Sequence, residues 1–430
     1  MLLNYNITRH CQVIVIKQFV KNAGEDFMSR IIKNQNRKVF VFLSLMLFLF
    51  CVTKVIRGSN TDSNANGGIW NYISLAYYPI FILLLFRKRK IRISWIYFSL
   101  FVYSLIATLV SITSLLDQSL SINSLYTFLM VPYSVIVMYC FYFASYDNSF
   151  TRKILFLTFV FCLIINLYNV ATYKIWGAKR ALASDIYFSL TLFPFSLLIV
   201  KNRIIKLLCI SGMFLASFLS AKRTAFIGFI ISMLLYVMVK ETNKGSSIKH
   251  IVKLLSSLII LSVILFITSD YIDSYFNLGL FERLNQLQED GGGGRADIYE
   301  QVFTAFKVSP WYQKLFGHGM FETLNVCGFM AHNDFLEVLY DYGLIAFASI
   351  VSFYLALIKK GIDLAKRKSE YAPSFVSSIA IGLLLSMFSY MLVYFTYVTS
   401  LSAYWGYVLK LEKDSHTLKF INGDDRSDGL

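Results

Sequence analysis

Charge is scarce in this sequence. Aspartate, glutamate, lysine and arginine make up 15% of its 430 residues, against 57% for the hydrophobic types, and the mean hydropathy is +0.58. So little charge cannot cover the surface of a soluble domain of this size, and the composition is that of a polytopic membrane protein. Cysteine is sparse too. Cys51, Cys140, Cys162 and Cys209 fall in apolar runs, Cys11 lies in the N-terminal segment, and Cys327 alone sits in the late polar loop. That arrangement offers no disulfide pair outside the membrane, and no spacing suits a zinc site. The glycine run at 291–294 lacks the Gly-Lys-Ser/Thr continuation of a phosphate-binding P-loop. The first 38 residues lack both a long apolar core and a small-residue cleavage site, so they do not read as a secretory signal, and an amphipathic segment on the inner leaflet is the expectation.

Long apolar runs fill most of the rest. With about 20 residues needed per crossing, spans are expected near 38–56, 69–86, 93–116, 125–145, 154–173, 186–200, 207–220, 224–239, 254–269, 333–358, 373–392 and 395–410. The fold class is therefore all-α: about 12 transmembrane helices and one large extracytoplasmic loop containing short helices. Basic residues orient it. With the N-terminus inside, 30 of the 41 lysines and arginines fall in cytoplasmic segments, which puts both termini in the cytoplasm. The division is a cytoplasmic segment 1–37, a first group of about nine spans 38–269, an extracytoplasmic catalytic loop 270–332, last spans 333–410 and a cytoplasmic tail 411–430. The net charge of +16 is dispersed into short turns beside spans rather than gathered on one face, so nucleic acid is not an expected partner.

Four polar features depart from this pattern. Lys174, Lys179 and Arg180 put three cations outside, against the positive-inside trend, where they either reach lipid phosphates or face an anionic ligand. Lys222 and Arg223 stand in Ser-Ala-Lys-Arg-Thr between the seventh and eighth spans with no room for a loop. An arginine at that depth needs anions or water, and its planar fork matches phosphate in a way an ammonium cannot. The loop 270–332 has eight acidic and four basic residues, net −4, so it is no general polyanion trap. Within it Arg295 opens an amphipathic helix with Ile298, Val302, Ala305 and Phe306 on one face, stopping before Pro310.

The fourth feature is His332. A helix starting near Asn333 puts Asp334, Glu337 and Asp341 in one stripe, with His332 expected to project beside Phe335, Leu336 and Leu339 on the apolar side. It is either a satisfied core residue or a general base, and a helix N-terminus favours its neutral form. His318, in a Gly-His-Gly turn, is a secondary candidate.

Ser-Ala-Lys-Arg-Thr at 220–224, Gly-Arg at 294–295, Leu-Phe-Gly-His-Gly at 315–319 and His-Asn-Asp-Phe-Leu-Glu at 332–337, with the later Gly343-Leu344, resemble the O-antigen ligase and Wzy-type polymerase superfamily of bacterial membrane glycosyltransferases. The resemblance covers roughly residues 175–350. It departs from the family in the Ala221-Lys222 pair before the arginine and in His318, where an apolar residue is common.

The resemblance implies transfer of an oligosaccharide from undecaprenyl pyrophosphate to an acceptor hydroxyl at the outer face of the bacterial cytoplasmic membrane. It implies no nucleotide sugar, cofactor or metal. Arg180, Arg223 and Arg295 match arginines expected near the pyrophosphate, with Lys179, Lys222 and His318 as secondary candidates, and His332 matches the histidine taken as base or acceptor-positioning group. The expected partners are the lipid-linked glycan donor, the glycan acceptor, the bilayer and other envelope polysaccharide assembly proteins. Polymerase is the preferred reading, because an aromatic, acidic loop suits an extended glycan acceptor. A ligase moving the finished chain elsewhere is the alternative, and a flippase or a non-enzymatic scaffold the reading from another class.

Overall fold

The computed structural model describes residues 37–56, 75–87, 94–117, 122–170, 185–220, 222–245, 295–389 and 395–421, with Val252, Ser256 and Met391. These are 87% helical and contain no strand. That is what a bilayer demands, since a helix satisfies its backbone within one segment. The helices are α1 (Arg37–Ile56), α2 (Tyr77–Arg87), α3 (Trp95–Asp117), α4 (Ile122–Met130), α5 (Tyr133–Ala144), α6 (Ser149–Val170), α7 (Ile186–Ile199), α8 (Arg203–Leu219) and α9 (Arg223–Asn243). After them come α10 (Arg295–Val308), α11 (Trp311–Phe316), α12 (Glu322–Cys327), α13 (Asp334–Lys366), α14 (Ala372–Phe388) and α15 (Phe395–Ile421). Five of them, α1, α3, α6, α9 and α13, are long and apolar enough to cross a membrane by length and composition. The expected span at 254–269 lies outside the described residues.

Two expected spans are interrupted, each at the residue that chemistry selects. The run expected as one span over 125–145 is split into α4 and α5 at Val131-Pro132, because proline has no N–H for the helix ladder and crowds the preceding turn. In α13 the backbone leaves helical geometry at Gly343 (φ 82, ψ 177), a conformation essentially reserved for glycine. The crowding there is severe: a Cβ on Gly343 would collide with the Leu315 carbonyl, and one on Gly317 with the Asp341 carbonyl. The Gly317 turn is thus laid directly on the kink.

One large apolar core joins α1 to α9 with α13, α14 and α15. The last helix lies along α5 and α7, with Tyr407 stacked on Phe40 of α1 and the indole N–H of buried Trp405 donating to Ser378 of α14 at 2.9 Å. The helix continues to Ile421, beyond the expected end at 410. α13 packs along α3, where the Trp95 indole N–H donates to Ser352 at 2.9 Å. A smaller core of Val302, Ala331, Leu336 and Tyr340, with Ile298, Ala305 and Phe306 against it, fixes α10 to the start of α13. The amphipathic face read from the sequence is the face that is buried.

Candidate functional site

The site is built where α7, α9, α10 and α13 begin and α14 ends. Its tightest turn is the one between α8 and α9. α8 ends at Leu219 and α9 begins at Arg223, with the Lys222 amide donating to the Ser220 hydroxyl at 3.3 Å. Lys222 and Arg223 are consequently fixed at the helix mouth, both partly buried. The Thr224 hydroxyl donates to the Phe388 carbonyl at 3.3 Å, tying α9 to the end of α14, and Tyr187 of α7 reaches Ser389 and Thr224 and lies within the field of Arg295.

His332 does not lie on a helix face as the sequence suggested. It sits one residue before the N-cap, in a left-handed turn with φ 54. Asn333 is the cap, its side chain accepting from the Leu336 amide at 3.2 Å, and the helix starts at Asp334. Asparagine caps in this way because its side-chain oxygen replaces the missing partner of a first-turn N–H. The imidazole is partly buried, and its pKa is lowered from 6.5 to about 4, by burial first and then by the charges of Arg295 and Lys222. The expected direction holds, but the cause is burial beside cations rather than the helix end.

The acidic stripe is a second correction. Asp334, Glu337 and Asp341 share a face as expected, yet that face is fully buried against the rest of the protein. Each carboxylate is held by backbone. Asp334 accepts from the Met391 amide at 2.9 and 3.0 Å, in the link between α14 and α15. Glu337 accepts from the His332 amide at 3.0 Å and from that of Ala331. Asp341 accepts from both the amide (2.8 Å) and the hydroxyl (2.7 Å) of Thr323. Burying a carboxylate is costly without such donors, and here the donors come from the α14–α15 link, the segment before α13 and the first turn of α12. The stripe is therefore a set of clamps on the loops around His332.

The predicted residues separate accordingly. His332, Arg295 and Lys222 come together, with Arg223 next in chain to Lys222. Arg180 and Lys179 lie outside the described residues. His318 has a different task. Its ring stacks on Tyr340 at 4.0 Å, Nδ1 faces the Tyr340 carbonyl at 3.0 Å and Nε2 lies 2.8 Å from the Ser309 hydroxyl. It fastens the end of α10 to α13. The sequence marks Glu337 only as a member of the acidic stripe and of the motif at 332–337, and does not mark Tyr187. An acidic residue in an otherwise apolar helix five positions after a candidate histidine was the available signal for Glu337. Tyr187, in an aromatic-rich run, carried none. Among the described residues no three His, Cys, Asp or Glu side chains gather as a metal-binding group.

This arrangement presents cations and a neutral imidazole in one partly enclosed place, which suits an anionic leaving group beside a hydroxyl that must lose a proton. Residues 208–351, about a third of the chain, match the family model described as O-Antigen ligase, and that segment contains Lys222, Arg223, Arg295, His332 and Glu337. No curated protein matches the chain.

Proposed function

We propose that this chain, residues 208–351 of which form an O-antigen ligase family domain, is a polysaccharide polymerase of the bacterial cytoplasmic membrane. It transfers an oligosaccharide repeat from undecaprenyl pyrophosphate to an acceptor sugar hydroxyl on the outer face. The observation that carries this reading is His332, kept neutral beside Arg295 and Lys222. In the reaction the acceptor oxygen bonds to the anomeric carbon as the bond from that carbon to the pyrophosphate oxygen breaks. His332 takes the hydroxyl proton, and Arg180, Arg223 and Arg295 hold the growing charge on the departing pyrophosphate. Preorganised cations in a site with little water act most strongly on charge that develops only in the transition state.

The aromatic, acidic character of the loop supports polymerase over ligase. Phe303 stands exposed on α10 one turn after exposed Glu300, and Phe329 stands exposed after α12; exposed rings and carboxylates suit a neutral extended glycan. The family description names ligase chemistry, so the two readings are separated in cells. A deletion strain of a polymerase shows single repeats on the surface, whereas loss of a ligase leaves long chains on the lipid carrier. Complementation with Arg223→Ala or His332→Ala at wild-type protein level is expected to restore no polymer. Arg223→Lys is expected to restore little, since the bidentate fork is gone. Full-length polymer from His332→Ala would end this reading.

A further inference from the structure

α11 is a six-residue helix with no buried residue, and its sequence WYQKLF is mostly apolar. Trp311 is 71% exposed and Val308 just before it 81% exposed, with Tyr312 and Phe316 exposed as well. Such a cluster on a water-facing loop has to be covered by something.

The packing shows what lies beside it. α11 is packed on α13, and its end, Leu315 to Gly317, rests against the kink at Gly343. Immediately after the kink Leu344 is exposed, and Leu355 and Ile362 are exposed three and five turns further along the same side of α13. Those three leucine and isoleucine side chains form one stripe on a helix long and apolar enough to cross a membrane. Between Asp341 and Lys359 α13 carries no charge, and from Leu344 to Ile358 it rises by roughly 21 Å, most of the thickness of a hydrocarbon core. Gly343 therefore marks the end of this charge-free stretch on the His332 side, and the end of α11 stands beside it. Trp311 and Tyr312 are the residue types that collect at this depth, where a ring meets acyl chains and a polar edge meets headgroups. Lys314 lies in the same helix, its ammonium donating to the Lys307 carbonyl at 2.7 Å, and a lysine beside exposed rings suits a surface of lipid phosphates.

We infer that α11 is an interfacial anchor: Val308, Trp311, Tyr312 and Phe316 lie in the headgroup boundary of the bilayer, and the lipid surface is the partner that covers them. The anchor sets the height of the catalytic loop. Through His318 and the Gly317 turn it is continuous with the start of α13, so the imidazole of His332 is presented close to the membrane surface.

Depth-dependent fluorescence quenching tests this. The full-length protein and its Trp311→Phe variant are reconstituted in phosphatidylglycerol and phosphatidylcholine nanodiscs, with phosphatidylcholine brominated either near the headgroup end or near the methyl end of its chains. Subtracting the variant isolates the Trp311 emission. The expected result is quenching by the shallow bromine above the deep one, with little quenching by aqueous iodide, and loss of that shallow-quenched component in the variant. Phe316→Trp in the Trp311→Phe background is expected to restore it. Trp311 emission quenched by iodide and by neither lipid would mean the helix stands in water and overturns the anchor. Emission resistant to all three quenchers would mean that another protein surface, such as a second copy of the chain, covers the patch, and overturns it equally.

Discussion

The two ends of the helical bundle use their carboxylates differently. At the end away from His332, Glu412 on α15 meets Lys360 at 2.8 Å and Arg367 at 3.6 Å, Asp414 meets Lys410 at 2.6 Å, and Glu241 meets Lys244 at 2.8 Å. At the His332 end, Asp334, Glu337 and Asp341 accept from the amides of Met391, His332 and Thr323. A carboxylate given to a cation cancels charge. A carboxylate given to an amide fixes the shape of a loop, and the charges that reach His332 are those of Arg295 and Lys222. That field is felt at His332, whose pKa falls to about 4 in part because of Arg295 and Lys222. One end is built to be neutral and the other to hold a cationic site in a defined shape.

The sharpest way to break this contrast is at the joint between the apolar and acidic parts of α13. Gly343→Ala forces a side chain into a glycine-only backbone region and against the Leu315 carbonyl. Strain and overpacking together cost about 3 kcal/mol or more. The expected outcome is loss of detergent-stable protein, measured as a fall in the fluorescence-detected size-exclusion peak. An unaltered peak would mean the kink does not hold the Gly317 turn.

Next in size is the clamp on His332. Glu337→Ala leaves the amides of Ala331 and His332 without their acceptor, and a small misplacement of a reacting group costs on the order of 100-fold in rate. Glu337→Gln keeps a side-chain oxygen at that place and is expected to retain most polymer. Amide exchange of the peptide around residues 328–335 should rise in the alanine variant and stay near wild type in the glutamine variant. Equal loss in both would show that the charge or proton of Glu337 matters, and not its grip on the turn.

Much of this organisation was legible in the sequence. Apolar run length located most helices, Pro310 ended α10 as expected, and the starts of α9 and α13 followed from Lys222-Arg223 and from the capping Asn333. Arg295, Lys222 and His332 each carry a sequence signal, but nothing in the sequence places them beside one another. The acidic stripe was legible as a stripe but not as a buried one. Asp341 is satisfied by Thr323, 18 residues away, and Asp334 by Met391, 57 residues away, and helical periodicity carries no information about such partners. The left-handed turn at His332 is invisible in the sequence, because a positive φ in a residue other than glycine is rare and leaves no mark in composition. His318 looked like a second catalytic candidate because a Gly-His-Gly turn does not reveal that its ring is spent on Ser309 and Tyr340.

A smaller effect is expected from changing the field without changing the shape. Lys222→Ala removes one of the charges that disfavour the imidazolium, so the His332 pKa rises from about 4 toward its ordinary 6.5. A base works only when neutral, and the acid limb of the pH profile should therefore move to higher pH, by roughly one unit or less. Linkage has the same sign. A histidine whose folded pKa lies below its unfolded value contributes stability that is complete above the unfolded pKa and is lost as pH falls from about 6.5 toward 4. Polymer formation measured in membrane vesicles between pH 4 and 8 reads the shift. A limb that stays in place, with activity merely scaled down, would assign Lys222 to substrate and not to His332.

The smallest effect belongs to the opposite end, and it tests whether the two ends are independent. Glu412→Gln removes the shared partner of Lys360 and Arg367, leaving a half-buried ammonium with a neutral acceptor. Exposed pairs contribute up to about 1 kcal/mol and fully buried ones several, so a partly buried pair should cost about 1–2 kcal/mol, read as a melting-temperature drop of a few degrees. The glycan length distribution should not change, because Glu412 neighbours the ends of α13 and α15 and nothing at the start of α13. If glycan length did change while expression held, the ion pairs at that end would be coupled through α13 to the turn that carries His332, and the kink at Gly343 would be the element transmitting the change.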